Sequence, residues 1–268
     1  MTESFNERLE RIVTARRSNL CVGLDPIFLP GERCDDDPDA FKRKLTETVI
    51  DATHEVASVF KPNAAFFETT AEGNGWIPAK IRERDEEIIV LCDAKRGDIG
   101  STSEAYAEAI LSAQGYDAVT VNPLMGHDAV EPFLRRPECG AFLLCLTSNP
   151  GADDFLVKGD LYLHIAEKAA AWNRHGNVGL VVGATRPEQA ARVRAVAPDL
   201  PLLIPGVGAQ GGSIGEIIDA IGGRTNRRFI INASRSIMFA KRQGNETQPD
   251  ACRRAATALR NEINTAFT

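Results

Sequence analysis

Eight short apolar runs, many of them β-branched, recur along this 268-residue chain. Each ends in a polar or glycine-rich turn, and most are separated by a stretch with helical spacing. They are Leu20–Leu24, Val56–Lys61, Ile88–Asp93, Ala118–Val121, Ala141–Leu146, Val178–Val182, Leu202–Ile204 and Phe229–Ile231. A strand buried on both faces reads as a continuous apolar run, and its alternation with helices implies parallel βαβ units. Between the runs, Asp39–Val56 is amphipathic, Thr102–Gln114 is alanine-rich and Leu161–Trp172 carries an apolar stripe. Arg186–Ala197 opens with Pro187 at a first-turn position, and Ser213–Ile221 and Ala251–Ala266 complete the set.

Eight such units over about 250 residues predict an α/β fold, a closed (β/α)8 TIM barrel, as a single domain spanning residues 1–268. A doubly wound open sheet needs fewer strands and usually a G-x-G-x-x-G turn after the first, where this chain has Gly23-Leu24-Asp25-Pro26. The charged, helically spaced segment Met1–Arg17 and the segment Ala251–Ala266 predict an N-terminal and a C-terminal helix packed outside the barrel.

Several function classes are disfavoured. A formal net charge of −6 argues against non-specific nucleic-acid binding, which wants a basic surface. No run approaches the roughly 18 apolar residues of a membrane span, so no membrane partner is expected. The first residues lack the apolar core of a signal peptide. The six cysteines form no C-x-x-C pair, and several sit in apolar runs. They read as reduced, buried thiols, which suits a cytoplasmic location. Asp35-Asp36-Asp37-Pro38 reads as a solvated loop and helix cap. His54, His127, His164 and His175 are scattered without ligand spacing, so no metal and no cofactor is expected.

Active sites of such barrels are built at the C-terminal ends of the strands. Here those ends carry Asp25, Lys61, Asp93 with Lys95, Asn122, Ser148 and Arg186, then Pro205–Gly212 and Asn232–Arg235. Polar loop residues are ordinary at these places, but charges still inside a strand, as in Cys92-Asp93-Ala94-Lys95, are not. Side chains alternate along a strand, so Asp93 and Lys95 point to one side, towards the ligand if Leu91 faces the interior. A buried lysine flanked by carboxylates stays protonated, which makes Lys95 a fixed cation and proton donor. Schiff-base chemistry needs the opposite, a lysine whose pKa is pushed down. The glycines at 206, 208, 211 and 212 free the backbone to form an anion nest, and Arg235 adds a cation suited to phosphate. Phosphate sites in these barrels commonly follow strands seven and eight.

The segment Asp93-x-Lys95-x-x-Asp98-Ile99-x-x-Thr102 resembles the signature of the orotidine 5′-phosphate decarboxylases. Pro205-Gly206-Val207-Gly208-Ala209-Gln210-Gly211-Gly212 and Ser234-Arg235-Ser236-Ile237 extend the likeness, as do Asp25 and Lys61, over roughly Leu20 to Ala240. Phe60-Lys61-Pro62-Asn63 is similar to the longer-chain bacterial and archaeal subgroup. The resemblance implies a small nucleotide substrate, orotidine 5′-phosphate, converted to uridine 5′-phosphate in pyrimidine biosynthesis without metal or cofactor. It implies that Lys95 protonates C6, that Asp93 sits against the departing carboxylate, and that Lys61 and Asp98 complete an alternating charge array. It further implies a homodimer in which Asp98 and Thr102 reach the neighbouring site. Asp25 and Lys61 are then expected to bind ribose, Ser148 the pyrimidine edge, and Gln210 both base and phosphate. Arg235, with Ser234, Gly206 and Gly208, is expected to hold the phosphate. Thr147 offers a second hydroxyl beside Ser148.

Two rivals share part of this pattern. Magnesium-dependent sugar-phosphate decarboxylases or aldolases of the same suprafamily carry the Asp-x-Lys-x-x-Asp motif with an acidic residue on strand two, where Lys61 would repel the metal. A non-catalytic phosphate-binding barrel would leave the Lys95 array without a purpose.

Overall fold

The computed structural model of the protein describes residues 3–28, 37–207 and 212–266. Eight parallel strands close into a barrel in sequence order, with β8 pairing back onto β1. They are β1 (Leu20–Leu24), β2 (Val59–Pro62), β3 (Ile89–Arg96), β4 (Ala118–Val121), β5 (Gly140–Leu146), β6 (Val178–Val182), β7 (Leu202–Pro205) and β8 (Phe229–Ala233). The helices are α1 (Phe5–Ala15), α2 (Pro38–Thr53), α3 (Ile77–Arg82), α4 (Gly100–Ala107), α5 (His127–Leu134) and α6 (Ala152–Phe155). They continue with α7 (Leu161–Trp172), α8 (Pro187–Val196), α9 (Ile214–Ala220), α10 (Arg235–Met238) and α11 (Gln248–Thr265). No helix among the described residues is long and apolar enough to cross a membrane.

The eight apolar runs are the eight strands, with shifted ends. β2 starts at Val59 because the amides of Val56 and Ala57 still bond to the Thr53 carbonyl at the end of α2. β3 runs three residues past its expected end and so carries the charged group within the strand. The alanine-rich segment begins earlier than its pattern suggests and passes from α4 into a π-helical stretch, Glu108–Ala113. Asp37 caps α2 through the amides of Asp39 and Ala40, as the acidic patch predicts; Asp35 and Asp36 lie outside the described residues.

The barrel interior is layered. Phe5, Leu9, Ile12 and Val13 of α1 pack on the inward side chains of the strands, including Cys21, Val59, Ile89, Leu91, Ala118 and Phe142. Thus α1 closes the N-terminal floor, with its first turn held by the Ser4/Glu7 capping box, and does not join the outer ring. Gly140 makes this possible, since a Cβ there would lie 2.4 Å from the Phe5 ring. In contrast, α11 lies against α2 and β1 in the outer layer. Above the apolar floor the next inward residues are Lys61 and Asp93, both buried.

Candidate active site

Leu91 belongs to the interior layer, so the alternation of β3 points Asp93 to the same side, one step nearer the C-terminal mouth. Asp93 is the centre of a four-residue cluster. Its Oδ2 accepts from Lys61 Nζ at 2.7 Å, and its Oδ1 accepts from Lys95 Nζ at 2.6 Å and from Thr120 Oγ1 at 3.0 Å. Burial works against the Asp93 carboxylate, but Lys61 and Lys95 outweigh it and hold the group well below the usual carboxylate range. Burial likewise works against the Lys61 ammonium, and Asp93 with Asp25 outweighs it, so its pKa lies above that of an ordinary lysine.

The buried lysine is therefore Lys61, not Lys95 as the sequence suggests. The Lys95 side chain is 49% exposed, against 5% for Lys61. The reason is a break in the strand. The β3–β4 ladder runs from Leu91–Ala118 to Cys92–Val119 and resumes only at Arg96–Val121. Lys95 takes a left-handed backbone, φ 49°, which lifts it to the surface of the mouth while its ammonium turns back to Asp93.

A cleft of about 180 Å³ opens over the Lys61–Asp93 half of this cluster, lined by Asp25, Lys61, Asp93, Gly206, Ser234 and Arg235 among others. Asp25 closes one side with Oδ1 buried and without a hydrogen-bond partner among the described residues. Opposite, β8 ends in Asn232 and Ala233, and Ser234 leads into α10. Gly23 is required beneath them, because a Cβ there would stand 2.7 Å from the Ser234 Cβ. Gly206 turns the chain after β7 with φ 96°, a conformation open to glycine. Arg235 begins α10, is exposed, and has no ion-pair partner among the described residues. Gly208 and Gln210 lie outside the described residues.

The remaining expected residues are elsewhere. Ser148 lines a neighbouring hollow with Thr185 and Arg186, and Arg186 is paired with Asp153 at 2.8 Å. The close approach of Ser148 to β6 needs Gly183, whose Cβ would lie 2.8 Å from the Ser148 backbone. Asp98 is half-buried in the loop before α4 and accepts from the Ile99 amide at 2.8 Å. Among the described residues it makes no hydrogen bond or ion pair with Lys61, Asp93 or Lys95. Thr102 is exposed on α4. Asn122 spends its side chain on its own loop, accepting from the Leu124 amide at 3.1 Å. The cluster member the sequence does not flag is Thr120. Its only sequence signal is its place two residues before Asn122, on the inward face of β4.

No histidine lines the cleft, and no group of three or more His, Cys, Asp or Glu residues among those described could hold a metal ion. The five described cysteines are free and buried, and burial pushes the thiols of Cys21, Cys92 and Cys145 up to about 12.

The chain is similar to known proteins over nearly its whole length. The profile of the Orotidine 5'-phosphate decarboxylase / HUMPS family matches residues 18–248. The orotidine 5′-phosphate decarboxylase of Roseiflexus castenholzii is 44% identical over 274 residues, covering 98% of either chain. That of Halobacterium salinarum is 42% identical over 280 residues, covering 97% of this chain and 98% of its own. The solved OMP decarboxylase of Leishmania donovani superposes with a TM-score of 0.82 at 40% identity, covering 98% of both chains. The UMP synthase of the same organism superposes with a TM-score of 0.84 at 43% identity, covering 99% of this chain and 57% of that one.

Proposed function

The chain belongs to the orotidine 5′-phosphate decarboxylase family, and we propose that its cleft decarboxylates orotidine 5′-phosphate with Lys95 as the proton donor. The enzyme is a carboxy-lyase of pyrimidine biosynthesis, yielding uridine 5′-phosphate and carbon dioxide. The observation that carries the proposed mechanism is the Asp93 carboxylate held between a buried and an exposed lysine at the mouth of β3.

In this reading the bond between C6 and the carboxyl carbon breaks, the electron pair stays on C6, and carbon dioxide leaves. Lys95 then passes a proton from Nζ to C6. The lone pair lies in the ring plane, out of reach of the ring carbonyls, so the protein must stabilise it by charge. An ammonium about 4 Å away at an effective dielectric of about 20 contributes roughly 4 kcal/mol. That is on the order of a thousandfold in rate, far short of what so basic a carbanion demands. The remainder comes from groups fixed before the reaction and from phosphate binding energy used to hold the ring. Asp93 faces the departing carboxylate, and Lys61 fixes Asp93 from below. Arg235, Ser234 and the backbone at Gly206 hold the phosphate, with Gly208 and Gln210 extending that grip. Asp25, whose buried Oδ1 lacks a partner among the described residues, takes a ribose hydroxyl together with Lys61. Ser148 meets the pyrimidine edge.

The chain acts as a cytoplasmic homodimer in which Asp98 and Thr102 enter the partner's cleft. Their separation from the cluster in their own chain supports this. A magnesium site is disfavoured by chemistry: the Lys61 ammonium sits 2.7 Å from the carboxylate a metal would use. Loss of ultraviolet absorbance from orotidine 5′-phosphate, with a chelator present and no cofactor added, tests the assignment. Turnover that stops with chelator and returns with magnesium would sink the metal-free mechanism.

A further inference from the structure

One hydroxyl joins the two charged residues at the end of β3. The β3–β4 ladder pairs Cys92 with Val119 and next pairs Arg96 with Val121. Asp93, Ala94 and Lys95 therefore stand opposite Thr120 alone. Such a bulge strips main-chain groups of their ladder partners, and a buried amide must find another acceptor. The Lys95 amide donates to Thr120 Oγ1 at 2.9 Å, and that hydroxyl gives its own hydrogen to Asp93 Oδ1 at 3.0 Å. The direction is set chemically, because an ionised carboxylate only accepts and an amide only donates.

The consequence concerns Lys95. Its backbone sits at φ 49°, a region that a residue with a branched or long side chain enters only when its surroundings hold it there. The side chain is half exposed and, among the described residues, has a single ionic partner, Asp93. Neither exposure nor one ion pair fixes a four-carbon chain. The anchor must come from the main chain, and Thr120, which is 1% exposed and cannot drift, supplies it.

We propose that Thr120 is a positioning residue for proton delivery: its hydroxyl holds the Lys95 backbone and the Asp93 carboxylate in mutual register. It touches neither substrate nor reacting atoms. The proposal rests on the reading of Lys95 as the proton donor.

Thr120→Ser and Thr120→Ala differ from each other by the hydroxyl alone and form the deciding pair. Thr120→Val keeps the side-chain shape without the hydroxyl and serves as a second hydroxyl-free variant. Losing a hydrogen bond to a charged group lowers kcat on the order of 10- to 100-fold in the Ala and Val variants. The Ser variant stays within about threefold of wild type, and KM shifts by no more than about threefold in all, since the phosphate grip is remote. Equal kcat in the Ser and Ala variants, or a loss that falls on KM, overturns the proposal. Should the Val variant fail to fold, the Ser–Ala comparison still decides. Wild-type protein inert towards orotidine 5′-phosphate would instead refute the decarboxylase reading, and is scored first.

Discussion

The Lys61 ammonium stands 2.7 Å from Asp93 Oδ2, with both side chains almost wholly removed from water. Lys95 takes the other oxygen of that carboxylate at 2.6 Å while leaving half of its own side chain exposed. A single carboxylate is thus shared by two lysines that the break between β3 and β4 leaves in different settings. Both help to keep Asp93 ionised, the buried one as a fixed counter-charge and the exposed one from the mouth of the barrel.

Lys95→Ala removes the donor without opening the core. Turnover is expected to fall by about a thousandfold or more, the worth of one close ion contact. Far-ultraviolet circular dichroism and the unfolding midpoint should change little, because the side chain is half exposed. Absorbance assays that retain more than a few per cent of turnover would refute the donor role.

Asp93→Asn leaves Lys61 buried beside a neutral amide, at a cost of about 3–5 kcal/mol in stability. The pH dependence has a definite sign. Asp93 is held below its unfolded value, so its contribution is present above the unfolded carboxylate pKa of about 3.9 and is lost as pH falls below it. The gap between wild type and variant in urea unfolding should be level from about pH 5 to 8 and narrow below about pH 4. A gap that widens on acidification reverses the sign and removes Asp93 as the stabilised carboxylate.

Arg235→Ala tests the phosphate end. Without the charge-assisted hydrogen bonds of that exposed guanidinium, the nucleotide should bind on the order of 10- to 100-fold more weakly. Binding of the nucleoside without phosphate should hardly move. Calorimetric titration showing equal effects on both ligands would place the phosphate elsewhere.

Co-expression of Lys95→Ala with Asp98→Ala tests the shared site. If Asp98 serves the partner, each hybrid dimer has one cleft with both defects and one with neither. Random pairing then restores activity to about a quarter of wild type. Two inactive variants that stay inactive when mixed would assign Asp98 to its own cleft or deny the dimer.

Much of the architecture was legible. β1, β4 and β6 coincide with their apolar runs residue for residue, because strands buried on both faces are near-continuously apolar, with Thr120 of β4 the one polar side chain among them. Four of the described helices were not legible: the four-residue α6 and α10, too short to show a period, and α3 and α5. α3 has six residues with Pro78 in its first turn, and α5 has eight with Pro132 inside. Proline reads as a breaker, and in both cases burial of apolar side chains against the barrel holds a helix that local preference would not.

The candidate site divides along the same line. The amino-acid order by itself determined that Asp25, Lys61, Asp93 and Arg235 stand at or near the C-terminal ends of strands, since an apolar run and the polar residues that close it are local properties. The alternation expected to put Asp93 and Lys95 on one side is interrupted at the left-handed Lys95, whose ammonium reaches Asp93 by turning back. Only the tertiary structure decided which lysine is buried, and that a lone threonine in Ala118-Val119-Thr120-Val121 joins the cluster. Both depend on the broken register between β3 and β4, where three residues of one strand face one of the other. Register is a relation between segments far apart in the chain, set by closure of the barrel, and no window of sequence contains it.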